Sequence, residues 1–114
     1  MRWALVLTLL LAPGGAYAHA FLERASPSVG STVDASPPEL SIIFTEGVEP
    51  LFSTIELHDA HGAMVATGKP HRAGNDRRLV ISLPKLAPGT YSVTWHATSV
   101  DTHKTEGSFR FTVK

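Results

Sequence analysis

The chain has 114 residues, with ten Lys and Arg against ten Asp and Glu, and it contains no cysteine. That length points to one domain, and the balanced charge leaves no basic stripe for nucleic acid. The missing thiol excludes disulfide staples, a thiolate metal site, a Cys nucleophile, a lipid-anchored N-terminal Cys and a blue-copper centre.

The first residues read as an export signal. Met1-Arg2-Trp3 is a short basic start, Ala4 to Ala12 is apolar, and Pro13 to Ala18 is rich in breakers. Ala16-Tyr17-Ala18 places small residues where a signal peptidase cuts. The apolar run falls far short of the roughly 20 residues of a membrane-spanning helix. A buried N-terminal helix is the alternative, and the three-part pattern favours the signal. Cleavage after Ala18 leaves residues 19–114 as one domain that begins with His19, with nine basic and ten acidic side chains. No second apolar span follows, so the product is expected to be soluble and, in a cell with two membranes, periplasmic.

Residues 20–25 are expected to form a first strand, and Ser26 to Pro38, rich in Ser, Pro and Gly, a long connection. Leu40, Ile42 and Phe44 alternate with Ser41, Ile43 and Thr45, a mostly buried strand closed by Glu46-Gly47. Another strand is predicted over Ser53 to His58, with Ile55 and Leu57 inward. Asp59-Ala60-His61-Gly62 has the composition of a hairpin turn, with residues 63–67 returning from it. Pro70 to Asp76 reads as a polar loop, followed by a strand over Arg78 to Leu83. The segment Pro84 to Gly89 launches the clearest strand, in which Tyr91, Val93, Trp95 and Ala97 alternate strictly with Ser92, Thr94, His96 and Thr98. Phe109, Phe111 and Val113 repeat that pattern. No segment sustains a 3.6-residue period, so the expected fold class is all-β, an antiparallel sandwich or Greek-key β-barrel.

The chemistry concentrates at two places. A histidine at a free N-terminus offers its α-amine and a ring nitrogen to one ion, and His19 takes that position after cleavage. Between the last two strands lies Val100-Asp101-Thr102-His103-Lys104-Thr105-Glu106-Gly107. If the backbone there is extended, Asp101 and His103 leave from the same face. Together with His19 they supply three nitrogens and one oxygen. Such a tetragonal set suits Cu(II), which also leads the Irving–Williams order, whereas zinc prefers a tetrahedron. With Asp101 ionised the empty site carries one negative charge.

With these residues the chain resembles the CopC family of periplasmic copper-binding proteins. The resemblance spans the whole mature domain: His19 after A-x-A, Ser26-Pro27 with Gly30, and Leu40 to Glu46. It continues through Pro88-Gly89-Thr90-Tyr91, Val93-Thr94-Trp95, Ser99-Val100-Asp101-Thr102-His103, Gly107, and Phe109 to Val113. It implies a Greek-key β-barrel of the cupredoxin-like or immunoglobulin-like type, and Cu(2+) ligation by His19, Asp101 and His103. Glu46 is implied as an axial or outer ligand. The implied role is copper homeostasis, resistance or delivery without catalysis, with an inner-membrane copper transporter of the CopD type as a partner. Family members with a second, Cu(I) site carry a methionine-rich stretch. The matching residues here, Leu57 to Met64, hold one methionine, and soft Cu(I) wants several sulfurs. The resemblance is therefore closer to members with the Cu(II) site alone.

Two other readings compete. A copper-dependent oxygenase of the lytic polysaccharide type also uses an N-terminal His brace, but it keeps open the position that Asp101 would occupy. A metal-free immunoglobulin-like interaction module would leave His19 an ordinary terminus, Asp101 a turn former and His103 a solvated loop residue. His58 and His61, with Met64 nearby, suit either a weak second metal site or a polar hairpin tip, and short His pairs need a closing third ligand. His71 is expected at the surface, and His96 facing solvent. Tyr91, Trp95, Phe109 and Phe111 are expected in the core, and no nucleophile motif sets a Ser beside a base.

Overall fold

The structure, a computed structural model, describes residues 20–114. The expected export signal and His19 lie outside the described residues. Nine strands follow in order: β1 (Leu22–Ser26), β2 (Thr32–Val33), β3 (Glu39–Phe44), β4 (Thr54–His58), β5 (Met64–Val65), β6 (His71–Ala73), β7 (Asn75–Ser82), β8 (Gly89–Thr98) and β9 (Lys104–Val113). A single 3₁₀ turn, Pro50–Phe52, precedes β4, and no α-helix occurs among the described residues. No helix among them is long and apolar enough to cross a membrane.

The strands form two sheets, ordered β1-β3-β7-β6 and β2-β9-β8-β4-β5. The alternation read from the sequence decides which side chains enter the space between them. Leu40, Ile42 and Phe44 from β3 meet Ile55 and Leu57 from β4, Leu79 and Ile81 from β7, and the inward rows of β8 and β9. Full burial of each large side chain contributes about 1.5–3 kcal/mol. Tyr91 stacks on its cross-strand partner Phe111 with centroids 5.8 Å apart, and its hydroxyl donates to Ala87 O at 2.6 Å. The four aromatics of β8 and β9 are core residues, as their period of two requires. The all-β sandwich agrees with the expected fold class.

Three segments differ from expectation. The connection over 26–38 contains β2, which pairs in parallel with Thr112 and Val113 of β9. Two residues carry no readable periodicity, and their pairing depends on a strand some eighty positions away. The loop expected over 70–76 contains β6, an edge strand held by β7, and β7 itself begins at Asn75 rather than Arg78. The exposed charges Asp76 and Arg77 hide that start from a hydrophobicity pattern. Finally, β9 begins at Lys104, so the loop expected over 100–107 shrinks to a tight connection over 99–103.

Candidate metal centre

The β8–β9 ladder runs without a break from Gly89↔Val113 to Thr98↔Lys104. The five residues left at its end, Ser99 to His103, must reverse the chain. Thr102 N–H donates to Ser99 O at 2.9 Å, and Ser99 N–H donates to His103 O at 2.9 Å. Thr102 adopts φ +73°, a left-handed conformation uncommon for a β-branched residue. The backbone at Asp101 and His103 is thus a turn and not the extended segment expected. The two side chains still converge, because the reversal folds one back upon the other: His103 Nδ1 lies 3.3 Å from Asp101 Oδ1. Both are about half exposed, at 50% and 47%, so an ion can reach them without crossing the core.

Ser99 organises this turn from beneath. It is 1% exposed, its hydroxyl donates to Asp101 Oδ1, and its Oγ accepts His103 N–H at 3.1 Å. The Ser99 hydroxyl, and after it His103, hold the Asp101 carboxyl below its ordinary pKa. Asp101 meets both Ser99 and His103 through Oδ1.

A second segment lies along the turn. Val48 bridges Ser99, Glu49 N–H donates to Thr98 O, and Val100 N–H donates to Gly47 O, the latter two at 2.8 and 2.9 Å. Gly47 leaves room for this approach: a Cβ there would lie 2.6 Å from Asp76 Oδ2 and 3.2 Å from Val100 Cγ1, and those side chains would have to shift aside. Arg72 locks the segment by donating from Nε and Nη2 to Val48 O, and Nη2 also reaches Glu49 Oε1 at 3.1 Å. Glu46 therefore sits in a chain segment that borders the turn. Among the described residues, however, no three His, Asp or Glu side chains cluster as a metal site, so Glu46 does not join Asp101 and His103.

The N-terminal end of the described chain is tied to the same region. Thr105 donates its hydroxyl to Ala20 O, and Phe21 exchanges hydrogen bonds with Thr45 through Thr45 Oγ1 at 3.0 Å and Thr45 N at 2.8 Å. Ala20, the residue bonded to His19, is thus held by a residue two positions after His103, and Phe21 by the residue before Glu46. Ser99, Thr105 and Thr45 were not singled out from the sequence. Serine and threonine near turns are too common to stand out, and only burial and partners reveal their roles.

The remaining histidines are placed as surface groups. His58 Nε2 stands 3.9 Å from Glu56 Oε1 and is paired across β4–β5 with Met64. Asp59 Oδ1 accepts His61 N–H at 2.9 Å and Ala63 N–H at 3.0 Å, which builds the hairpin tip and lowers the Asp59 pKa. Among the described residues, no third His, Asp or Glu closes a site around His58 and His61. His71 is exposed on β6, and exposed His96 lies 3.9 Å from Glu106.

The fold and the turn define a class: a small two-sheet β domain that presents an imidazole and a carboxylate at one end of its longest hairpin. The sequence profile of the CopC domain matches residues 22–114, and the chain belongs to the CopC family. It is similar to Protein YobA of Escherichia coli K12, 38% identical with all of this chain and 94% of that protein covered. It is also similar to Copper transport protein CutJ of Bacillus subtilis, 31% identical over 98% of this chain but only 21% of that longer protein. Among solved structures, CopC from Methylosinus trichosporium OB3b superposes with a TM-score of 0.80 at 38% identity, covering 84% of this chain and 94% of that one. PcoC, a methionine-rich copper resistance protein from Escherichia coli, gives 0.77 at 34% identity, covering 85% and 100%.

Proposed function

We propose that this protein binds one Cu(II) ion in the periplasm and buffers or delivers it, without catalysing a reaction. The observation that carries the reading is the Asp101–His103 pair, at 3.3 Å, beside the Thr105 anchor of Ala20. After cleavage at Ala18, the amine and imidazole of His19 would begin one residue from that anchor. One carboxylate oxygen, two imidazoles and an amine make a tetragonal N,O donor set, which favours Cu(II) among divalent ions. Glu46 borders the turn without joining the pair, and is assigned at most an outer position. The relatives' names speak of copper resistance and copper transport, which supports the choice of metal.

Soft Cu(I) is a poor match. The chain has two methionines, Met1 and Met64, and only Met64 remains after cleavage, in contrast to methionine-rich PcoC. Protons compete for the amine and both imidazoles, so affinity falls as pH drops. CutJ contains a region similar to this whole chain within a longer transport protein, which supports an inner-membrane copper transporter of the CopD type as the acceptor.

The test is the EPR spectrum of one equivalent of Cu(II) on protein processed to begin at His19. A tetragonal type 2 signal with nitrogen hyperfine structure is expected. An N-terminally extended form, in which the His19 nitrogen is an amide, is expected to bind much more weakly. Equal affinity in the two forms, or the spectrum of aqueous copper, overturns the chelate.

A further inference from the structure

We infer that Ser99 is the positioning residue of this site, a buried hydroxyl that sets Asp101 and His103 in place before any ion arrives. The inference rests on the copper reading for its functional meaning, but its geometry is independent of it.

The argument starts from what a five-residue reversal allows. Asp101 and His103 sit on an exposed turn, where long rotamer lists and solvent would ordinarily scatter two polar side chains. Ser99 removes that freedom from both at once. Its Oγ accepts the His103 backbone N–H, and its hydroxyl proton goes to Asp101 Oδ1. One atom therefore fixes the backbone of one ligand and the carboxylate plane of the other. Ser99 is itself immobile: it is 1% exposed, its backbone closes onto His103 O and Thr102 N, and Val48 bridges it from the neighbouring segment. The left-handed φ at Thr102 is the conformational cost of that arrangement, and such conformations persist only where the surroundings over-determine them. Asp101 uses Oδ1 toward both Ser99 and His103, so one carboxylate oxygen is already committed within the turn. Groups that orient metal ligands from behind typically account for roughly 10- to 100-fold of metal affinity.

The experiment has two arms. In metal-free wild-type protein, the His103 amide should exchange slowly with solvent for so exposed a turn, since Ser99 Oγ accepts it. Exchange at the free-peptide rate overturns the inference whether or not any variant folds. In the second arm, Cu(II) affinity is measured for wild type, Ser99→Ala, the double variant Asp101→Ala/His103→Ala, and the triple variant. Ser99→Ala is expected to lose roughly 10- to 100-fold in affinity and to shift the EPR hyperfine splitting. In the background without Asp101 and His103, it is expected to change affinity less than twofold. An equal loss in both backgrounds, or no loss in either, means that Ser99 acts only on the fold. If Asp101→Ala/His103→Ala binds copper as wild type does, the copper reading itself fails. That result is distinct from failure of Ser99→Ala alone.

Discussion

Gly107→Ala tests the packing that holds the site-bearing hairpin to the core. Gly107 faces Trp95 across the β8–β9 ladder. A Cβ at that position would lie 2.5 Å from Cζ2, 2.8 Å from Cε2 and 3.0 Å from Nε1 of the indole. Favourable carbon–carbon contact begins at about 3.5 Å, so ring and strand must part by about 1 Å. The ring has little room to yield, because Trp95 is 4% exposed and meets Phe44 edge-on, with centroids 5.2 Å apart and planes at 76°. Gly107 is not among the positive-φ glycines, so alanine incurs no backbone strain there. Without the clash, the substitution would stabilise the domain by about 0.4–1 kcal/mol through the unfolded chain. Overpacking costs about 1–3 kcal/mol, which offsets that gain and leaves a net loss of up to about 2.6 kcal/mol. At about 4–8 °C per kcal/mol for a domain of this size, Tm should fall by up to roughly 20 °C. In a protein that begins at His19, Trp95 is the only tryptophan, so its fluorescence follows both the unfolding and the ring's displacement. A Tm above wild type, as the unfolded-chain effect alone would give, would refute the packing argument.

Two further outcomes are expected. Thr105→Val keeps the shape of the side chain but deletes its hydrogen bond to Ala20 O. A net hydrogen bond of about 0.5–1.5 kcal/mol predicts up to a two- to twelvefold loss of Cu(II) affinity, measured by competition titration. Unchanged affinity would mean that the anchor does not position His19. For pH, the Asp101 carboxyl lies below its ordinary value of 3.8, because Ser99 first and His103 next favour the ionised form. Its contribution to stability is therefore complete above that ordinary value and lost as pH falls through the lower folded value. Carboxyl NMR of the metal-free protein should show Asp101 titrating below 3.8 and moving up toward it in Ser99→Ala. Titration of wild type at or above the ordinary value would contradict the Ser99 contact.

The strict alternation in β8 and β9, and the apolar positions of β3, made three long strands and most of the core legible from the sequence. A strand's two faces are written in consecutive residues, so Tyr91, Trp95, Phe109 and Phe111 declare their burial locally. The proposed donors were legible as well: His19, Asp101 and His103 stand out by chemistry and spacing alone. How Asp101 and His103 meet was not. An extended backbone and a tight turn both bring residues two apart together, and the choice fell to the β8–β9 register, which runs to Thr98↔Lys104 and leaves only five residues to turn. Likewise, nothing local marks Thr32 and Val33 as partners of Thr112 and Val113, or Ser99 as a buried hydroxyl under the turn. Those roles belong to contacts between distant segments. Strand faces and donor identities are properties of a residue and its near neighbours, whereas pairing partners, burial of a lone serine and the aim of a carboxylate exist only once the two sheets have closed on each other.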